Sequence, residues 1–387
     1  MTAYSYHPAM SSLPDFKLET HFSKWEFTAR HHMAASDVES MSLSDLLALA
    51  NADDRTAFEG AWLGYTQTFG APPLREAIAA TYENIETAHV LCFAGAEEGL
   101  YVAMHALLTA EDHAIVVTPN YQSAESVPMS LCSVTGVPLD ASAGWTLDID
   151  QVKAAIRPNT KLISINFPHN PTGKILERER FDALVELCRE RGLYLFSDEV
   201  YAQIGGGDVE QLPQAADVYE RGLSLNVMSK AYGLPGLRIG WIACRDTVLL
   251  GQMERIKHYL SICNAAPSEH LATIALKART KIFARVHDLL AANLEKLDAF
   301  FADYPHLFDW YRPDGGCVAY PRYLGEDGVE AFTESLVRHS GVLLLPASIY
   351  RSELNPTPTD RFRIGYGRAH IDVGLAALRK HLDDGAS

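Results

Sequence analysis

The sequence predicts an α/β chain: a large unit with a mostly parallel sheet, followed by a smaller α+β unit. Three observations lead there. Between about residues 70 and 300, short β-rich runs alternate with longer stretches of helical spacing. The short runs are almost continuously apolar, as strands are when both faces of their sheet are covered. After about residue 303 the alternation gives way to short strands and helices in mixed order.

Taken in chain order, residues 1–50 read as an arm carrying one short helix, SLSDLLALA, with Ser42 or Ser44 as its N-cap. The expected strands of the large unit are HAIVVT (113–118), KLISINF (161–167), LYLFSDEV (193–200), LSLNVMS (223–229) and RIGWIAC (238–244). Between them, ERERFDALVELCRERG (177–192) sets Phe181, Leu184, Val185, Leu187 and Cys188 at helical spacing and closes on Gly192. One long helical region is expected over 247–302. Beyond it, GGCVAYPR, GVLLLPAS and RFRIGYG read as strands, with helices at 328–340 and 371–383. The expected division is therefore an arm, 1–50, packing with a small domain, 303–387, and a large domain, 51–302.

A formal net charge of −16 disfavours nucleic acid and anionic membranes as partners, since both repel an acidic body. No apolar run approaches the roughly 18 residues that a membrane span needs. The first residues lack the basic start and apolar core of a secretory signal. The six cysteines are scattered without a CxxC pair, and four lie in apolar runs, which points to core thiols and a reducing compartment. The expectation is a cytoplasmic protein without a metal. His31 and His32 are adjacent and make a poor pair of ligands, although one could line the mouth of a site.

Ligands of open α/β sheets bind at the carboxyl ends of the strands. Four polar signatures fall there. INFPHNPTG places Asn170 just past one strand, LFSDEVY places Asp198 and Tyr201 at the end of the next, and SLNVMSK places Lys230 past a third. CFAGAEEGL (92–100) is a glycine turn entering a helix, whose free N–H groups suit a phosphate. Each motif alone also fits a turn or a helix cap. Their joint order is the signal. The glycines at 233, 236 and 240 follow a lysine and open into a strand, so they are not a dinucleotide fingerprint.

In this order and spacing the chain resembles the class I/II aminotransferases, pyridoxal-phosphate enzymes of fold type I. The resemblance runs from about Tyr65 to Arg363, with 28 residues from Asn170 to Asp198, three more to Tyr201, and eight from Lys230 to Arg238. It implies that Lys230 forms an imine with the cofactor aldehyde and later carries the substrate's α-proton. It implies that Asp198 keeps the pyridine nitrogen protonated, that Asn170 and Tyr201 bond the ring oxygen, and that Tyr121 stacks on the ring. The phosphate would take the N–H groups of Ala96 and Glu97 after Gly95, the guanidinium of Arg238 and a tyrosine, Tyr65, from the neighbouring subunit. A homodimer with a shared site follows. Arg363, with Asn170 beside it, would clamp the α-carboxylate of an amino acid substrate, and Arg361 is not assigned to that role.

Two departures qualify the resemblance. Val227 stands where a hydroxyl residue often serves the phosphate, leaving Ser229 to compensate. The N-terminal substrate segment RHHMAASDVESMSL (30–43) lacks the usual glycine-rich stretch and carries Asp37 and Glu39 instead. Either acid could meet a cationic substrate, or both could cap the next helix or face solvent. The chain also looks like cyclases of the capreomycidine synthase type, which use the same cofactor to eliminate a hydroxyl from a hydroxyarginine and close a guanidine ring. Aminotransfer is the leading expectation and cyclisation or elimination the alternative. A cofactor-binding sensor is disfavoured by the absence of a DNA-binding pattern and by the negative charge.

Overall fold

The computed structural model describes residues 13–205 and 210–385; the first twelve residues of the expected arm lie outside it. Its centre is a seven-stranded sheet of β1 (Val90–Phe93), β2 (His113–Thr118), β3 (Ser133–Pro138), β4 (Thr160–Asn166), β5 (Tyr194–Asp198), β6 (Gly222–Val227) and β7 (Gly240–Cys244). The spatial order is β1-β7-β6-β5-β4-β2-β3. The four pairings β3·β2, β2·β4, β4·β5 and β5·β6 are parallel, while β7 runs antiparallel to both β6 and β1. β1, β2, β6 and β7 are buried along their whole length, which is why their sequences are apolar throughout.

Helices cover both faces. Those that matter for the site are α1 (Ala96–Leu107), α2 (Gln122–Met129) and α3 (Arg178–Arg191). Gly192 ends α3 in the left-handed conformation, φ 65°, as its sequence expects. The region expected as one long helix is three: α4 (Thr247–Lys257), α5 (Ala266–Lys277) and α6 (Arg279–Asp303). Pro267 explains the first break, because a proline has no N–H to continue a helix and is tolerated in a first turn.

The C-terminal region has its own small sheets. Phe362–Gly365 lies between Val318–Ala319 and Leu345–Pro346, all antiparallel. Helices Val329–Ser335 and α7 (Ile371–Gly385) accompany them. The arm joins this region through a parallel pair, His31–His32 on Val342–Leu343. Ser42 starts the short helix Leu43–Ala48 with a capping box closed by Asp45. Cys92, Cys188, Cys244 and Cys317 are fully buried core residues, and all six thiols are free.

Candidate active site

The site begins where β1 turns into α1. Gly95 caps the helix at φ 105°, a conformation that residues with a side chain rarely adopt. Glu98 folds back on the turn, accepting from the Ala94 N–H (2.6 Å) and from the Ser261 N–H (3.2 Å). Glu97 accepts from the Ser123 hydroxyl (2.9 Å). The first N–H groups of α1 have no acceptor within the helix and remain available to an anion. Arg238, itself left-handed at φ 50°, donates from Nη2 to Ala94 O (3.3 Å). A Cβ on Gly95 would stand 2.5 Å from that Nη2, and a Cβ on Gly240 would stand 2.7 Å from the carbonyl carbon of Gly95. This tight cup therefore exists only because both positions are glycine. Gly233, at φ 65°, serves a different contact: its Cβ would meet Glu39 O of the arm at 2.9 Å.

Lys230 stands at the next station, past β6 and directly after the buried Ser229. Its Nζ donates to Ser36 Oγ (2.8 Å) and lies 6.0 Å from the Tyr201 ring centre. Burial holds the amine below its ordinary range, with the Asp37 and Asp198 carboxylates pulling the other way. The Tyr201 hydroxyl donates to Ser36 O (2.9 Å), so one arm residue engages both. Asp198, the last residue of β5, accepts from the Val200 N–H (3.2 Å). Burial pushes its carboxyl up to about 6, opposed by that N–H and by the Lys230 charge. Its neighbour Glu199 turns to the other side of the strand and accepts from the Ala215 N–H (2.8 Å). Glu97 is pushed up to about 7 by loss of water, with the Ser123 hydroxyl opposing and Asp198 adding.

The far wall comes from the arm and the C-terminal region. Arg363 is completely buried. Its Nη1 donates to Asn170 Oδ1 (3.2 Å) and to the Tyr350 hydroxyl (2.5 Å), and its Nη2 donates to Ala34 O (2.6 Å). Its Nε has no partner among the described residues. Arg361 faces away, bonding Tyr320 O (3.1 Å) and covering the Trp145 ring. The readings of Asp37 and Glu39 as free acids or helix caps give way here. Arg368 donates from Nη2 to both oxygens of Asp37 (2.9 and 2.8 Å). Glu39 accepts from the Ala369 N–H (2.8 Å), and the following helix already has Ser42. His32 Nδ1 accepts from the Ala34 N–H (3.3 Å), beside the carbonyl that Arg363 engages, and burial, then the charges of Arg368 and Arg363, lowers the ring to about 4.

Lys230, Tyr201, Asn170 and Arg363 are thus linked through Ser36, Tyr350 and Ala34, and Gly95, Ala96 and Arg238 form the cup. Tyr121, at the start of α2, packs against Phe16 of the arm at 5.2 Å between ring centres. Tyr65 is not gathered in: it is 84% exposed, as are its neighbours Trp62 and Leu63 at 80% each. Sequence reasoning passed over Ser36, Tyr350 and Arg368. Serines, tyrosines and arginines are ordinary residues, and no local pattern marks these three. Among the described residues no group of three or more His, Cys, Asp or Glu could hold a metal, and no helix is long and apolar enough to cross a membrane.

Three comparisons bear on this geometry. The sequence pattern of the family described as aminotransferase class I and II matches residues 36–378. Capreomycidine synthase of Streptomyces vinaceus is 28% identical over 381 residues, spanning 96% of this chain and 94% of that one. The arginine–pyruvate transaminase of Pseudomonas aeruginosa is 29% identical over 331 residues, 82% of this chain and 80% of that one. Among solved structures, a PLP-dependent aminotransferase from Streptococcus suis superposes with a TM-score of 0.89 at 29% identity, covering 96% of this chain and 98% of that one.

Proposed function

The chain belongs to the aminotransferase class I and II family, and from that premise we propose that it is a pyridoxal-phosphate enzyme that removes the amino group of an α-amino acid, with Lys230 holding the cofactor. The observation that carries this reading is the gathering, past the carboxyl ends of β6, β5 and β1, of a buried amine, a strand-end carboxyl and a glycine-built cup, with a buried guanidinium whose charge reaches the amine and whose Nε is unspent. These residues suit a planar, phosphorylated group. A Cβ at Gly95 or Gly240 would fill the cup, and nothing in the donor set conflicts with a dianion there.

When bound, the cofactor supplies an electron sink that acidifies the α-hydrogen of an attached amino acid. The chain's residues supply the rest. The N–H groups of Ala96 and Glu97 with Arg238, aided by Ser229, would hold the phosphate. Asp198 would hold a proton on the ring nitrogen, since a cationic N–H beside a carboxyl favours its anionic form. Tyr121 would flank the ring, and Asn170 and Tyr201 would meet its oxygen. Lys230, weakened as an acid trap by burial, would take the α-proton and return it. Arg363 would take the substrate carboxylate. Tyr65, exposed among apolar neighbours, would reach the phosphate of a second subunit, which makes a homodimer with shared sites part of the proposal. The free thiols fit a cytoplasmic setting. The division into an arm, 1–50, a large domain, 51–302, and a small domain, 303–387, belongs to the same reading.

A second reading is favoured by the near full-length similarity to capreomycidine synthase: the same machinery used for elimination and ring closure on a hydroxylated arginine. One experiment separates the two. Protein loaded with pyridoxal phosphate is mixed with a panel of amino acids, hydroxyarginines included, while absorbance is followed and products are identified by mass. Aminotransfer consumes the cofactor's aldehyde in one turnover and yields a keto acid. Elimination returns the starting spectrum without an added keto acid. Failure to take up cofactor would sink both.

A further inference from the structure

We propose that Tyr350 is a positioning residue that sets the orientation of the Asn170 amide and ties it to Arg363, an inference that rests on the cofactor reading above. Tyr350 is buried at 3% exposure, so its hydroxyl must find protein partners. It accepts from Arg363 Nη1 (2.5 Å) and donates to Asn170 Oδ1 (3.0 Å). Asn170 Oδ1 therefore receives two donors, the tyrosine hydroxyl and Arg363 Nη1 (3.2 Å).

An asparagine amide has two ends of nearly equal shape, and its hydrogen bonds decide which end lies where. An amide nitrogen could not face two donors. The pair of donors thus fixes Oδ1 on the Arg363 side and turns the donor end, Nδ2, away from it. Among the described residues Nδ2 has no partner, while the Asn170 backbone N–H is held by Asn166 Oδ1 (2.9 Å). Nδ2 is thereby kept as a donor for the oxygen on the cofactor ring. A phenylalanine at 350 would fill the same space and leave Arg363 Nη1 as the one remaining donor to Oδ1, which loosens this control. The arrangement also links two tasks, because the hydroxyl that orients Asn170 is bonded to the guanidinium proposed to take the substrate carboxylate.

The test is Tyr350→Phe in the cofactor-loaded protein. A donor aimed at the ring oxygen stabilises its anion, so weakening that donor should move the midpoint of the cofactor's pH-dependent absorbance change upward. The expected shift is about half a unit, what loss of part of one hydrogen bond gives. KM should rise about tenfold with a smaller change in kcat, since Arg363 loses one of its supports. The melting temperature serves as the control for folding. Because Tyr350 acts through Asn170, the same substitution in an Asn170→Ala background should move the midpoint no further. An unchanged midpoint with cofactor bound, or an equal shift in the Asn170→Ala background, overturns the proposal and leaves the cofactor reading standing. A wild-type protein that takes up no cofactor overturns both.

Discussion

At the cup, Gly95, Arg238 and Gly240 meet almost backbone to backbone at the ends of β1 and β7, two paired strands of one sheet. At the far wall, Ser36, Asp37, Asn170, Tyr350, Arg363 and Arg368 meet side chain to side chain, from positions up to 331 residues apart. The first region works by close approach and tolerates no added atom. The second works by hydrogen bonds and one ion pair, which can be exchanged without disturbing the sheet. On the proposed reading, a site built this way can keep its cofactor while its substrate changes, because the adjustable contacts lie on the wall and the rigid ones lie on the cup.

The strongest challenge to that contrast is Lys230→Ala, which removes the residue standing between the two regions. Turnover should fall by about 10⁴-fold, the upper range for losing a positioned acid–base group, measured as kcat with any amino acid the wild type accepts. Retained turnover would show that neither region is organised around this amine. Next is Gly240→Ala. Its methyl would press on the Gly95 carbonyl carbon, and overpacking of this kind costs about 1–3 kcal/mol. The dissociation constant for pyridoxal phosphate should rise about 10- to 100-fold. Unchanged affinity would mean that the cup yields, and the contrast with the wall would fail.

Arg368→Ala probes the wall itself. It strips Asp37 of its bidentate partner and should raise KM up to about tenfold while cofactor affinity stays within about twofold. A loss of cofactor instead would show that wall and cup are one unit. The smallest effect is expected from Glu199→Gln, on the other side of the strand end that bears Asp198. Burial pushes the Glu199 carboxyl up to about 8, against an ordinary 4.5, despite the Ala215 N–H and two serine hydroxyls. The native state therefore holds this proton more tightly than the unfolded one. The stability it contributes is complete below about 4.5 and is lost as pH rises through about 8. Thermal unfolding should show a decline between pH 5 and 8, on the order of 1 kcal/mol, that the glutamine variant flattens. Cofactor absorbance should not change.

Much of the cup was legible from sequence because its logic is local. Glycine at 95, 233 and 240, a lysine after an apolar strand and an arginine eight residues on are consequences of one chain segment passing close to another. The strands at 113–118, 161–167, 193–200, 223–229 and 238–244 appear within a few residues of their observed ends for the same reason. β1 and β3 were missed. β1 offers only four apolar residues before a glycine turn. β3 is a half-exposed edge strand containing Gly136 and Pro138, where Gly136 makes room for Asn355. The broken helix at 258–265 was marked by Pro267, a signal present in the sequence. Ser36, Tyr350 and Arg368 had no such mark, since each acquires its role from a partner that folding brings from at least 180 residues away.

The crossing of the arm into the C-terminal wall has a consequence for the order in which the molecule can be completed during synthesis. When the ribosome has delivered residue 244, every strand of the large sheet exists, along with Lys230, Asp198, Arg238 and both cup glycines. Ser36 and Asp37 have also been made, but Tyr350, Arg363 and Arg368 have not. A nascent chain at that point carries the parts of the proposed cofactor site and only half of the proposed substrate wall. The parallel pair between His31–His32 and Val342–Leu343 closes the gap more than 300 residues after the arm was translated. If the wall takes the substrate as proposed, substrate selection is the last property this chain acquires as it is made.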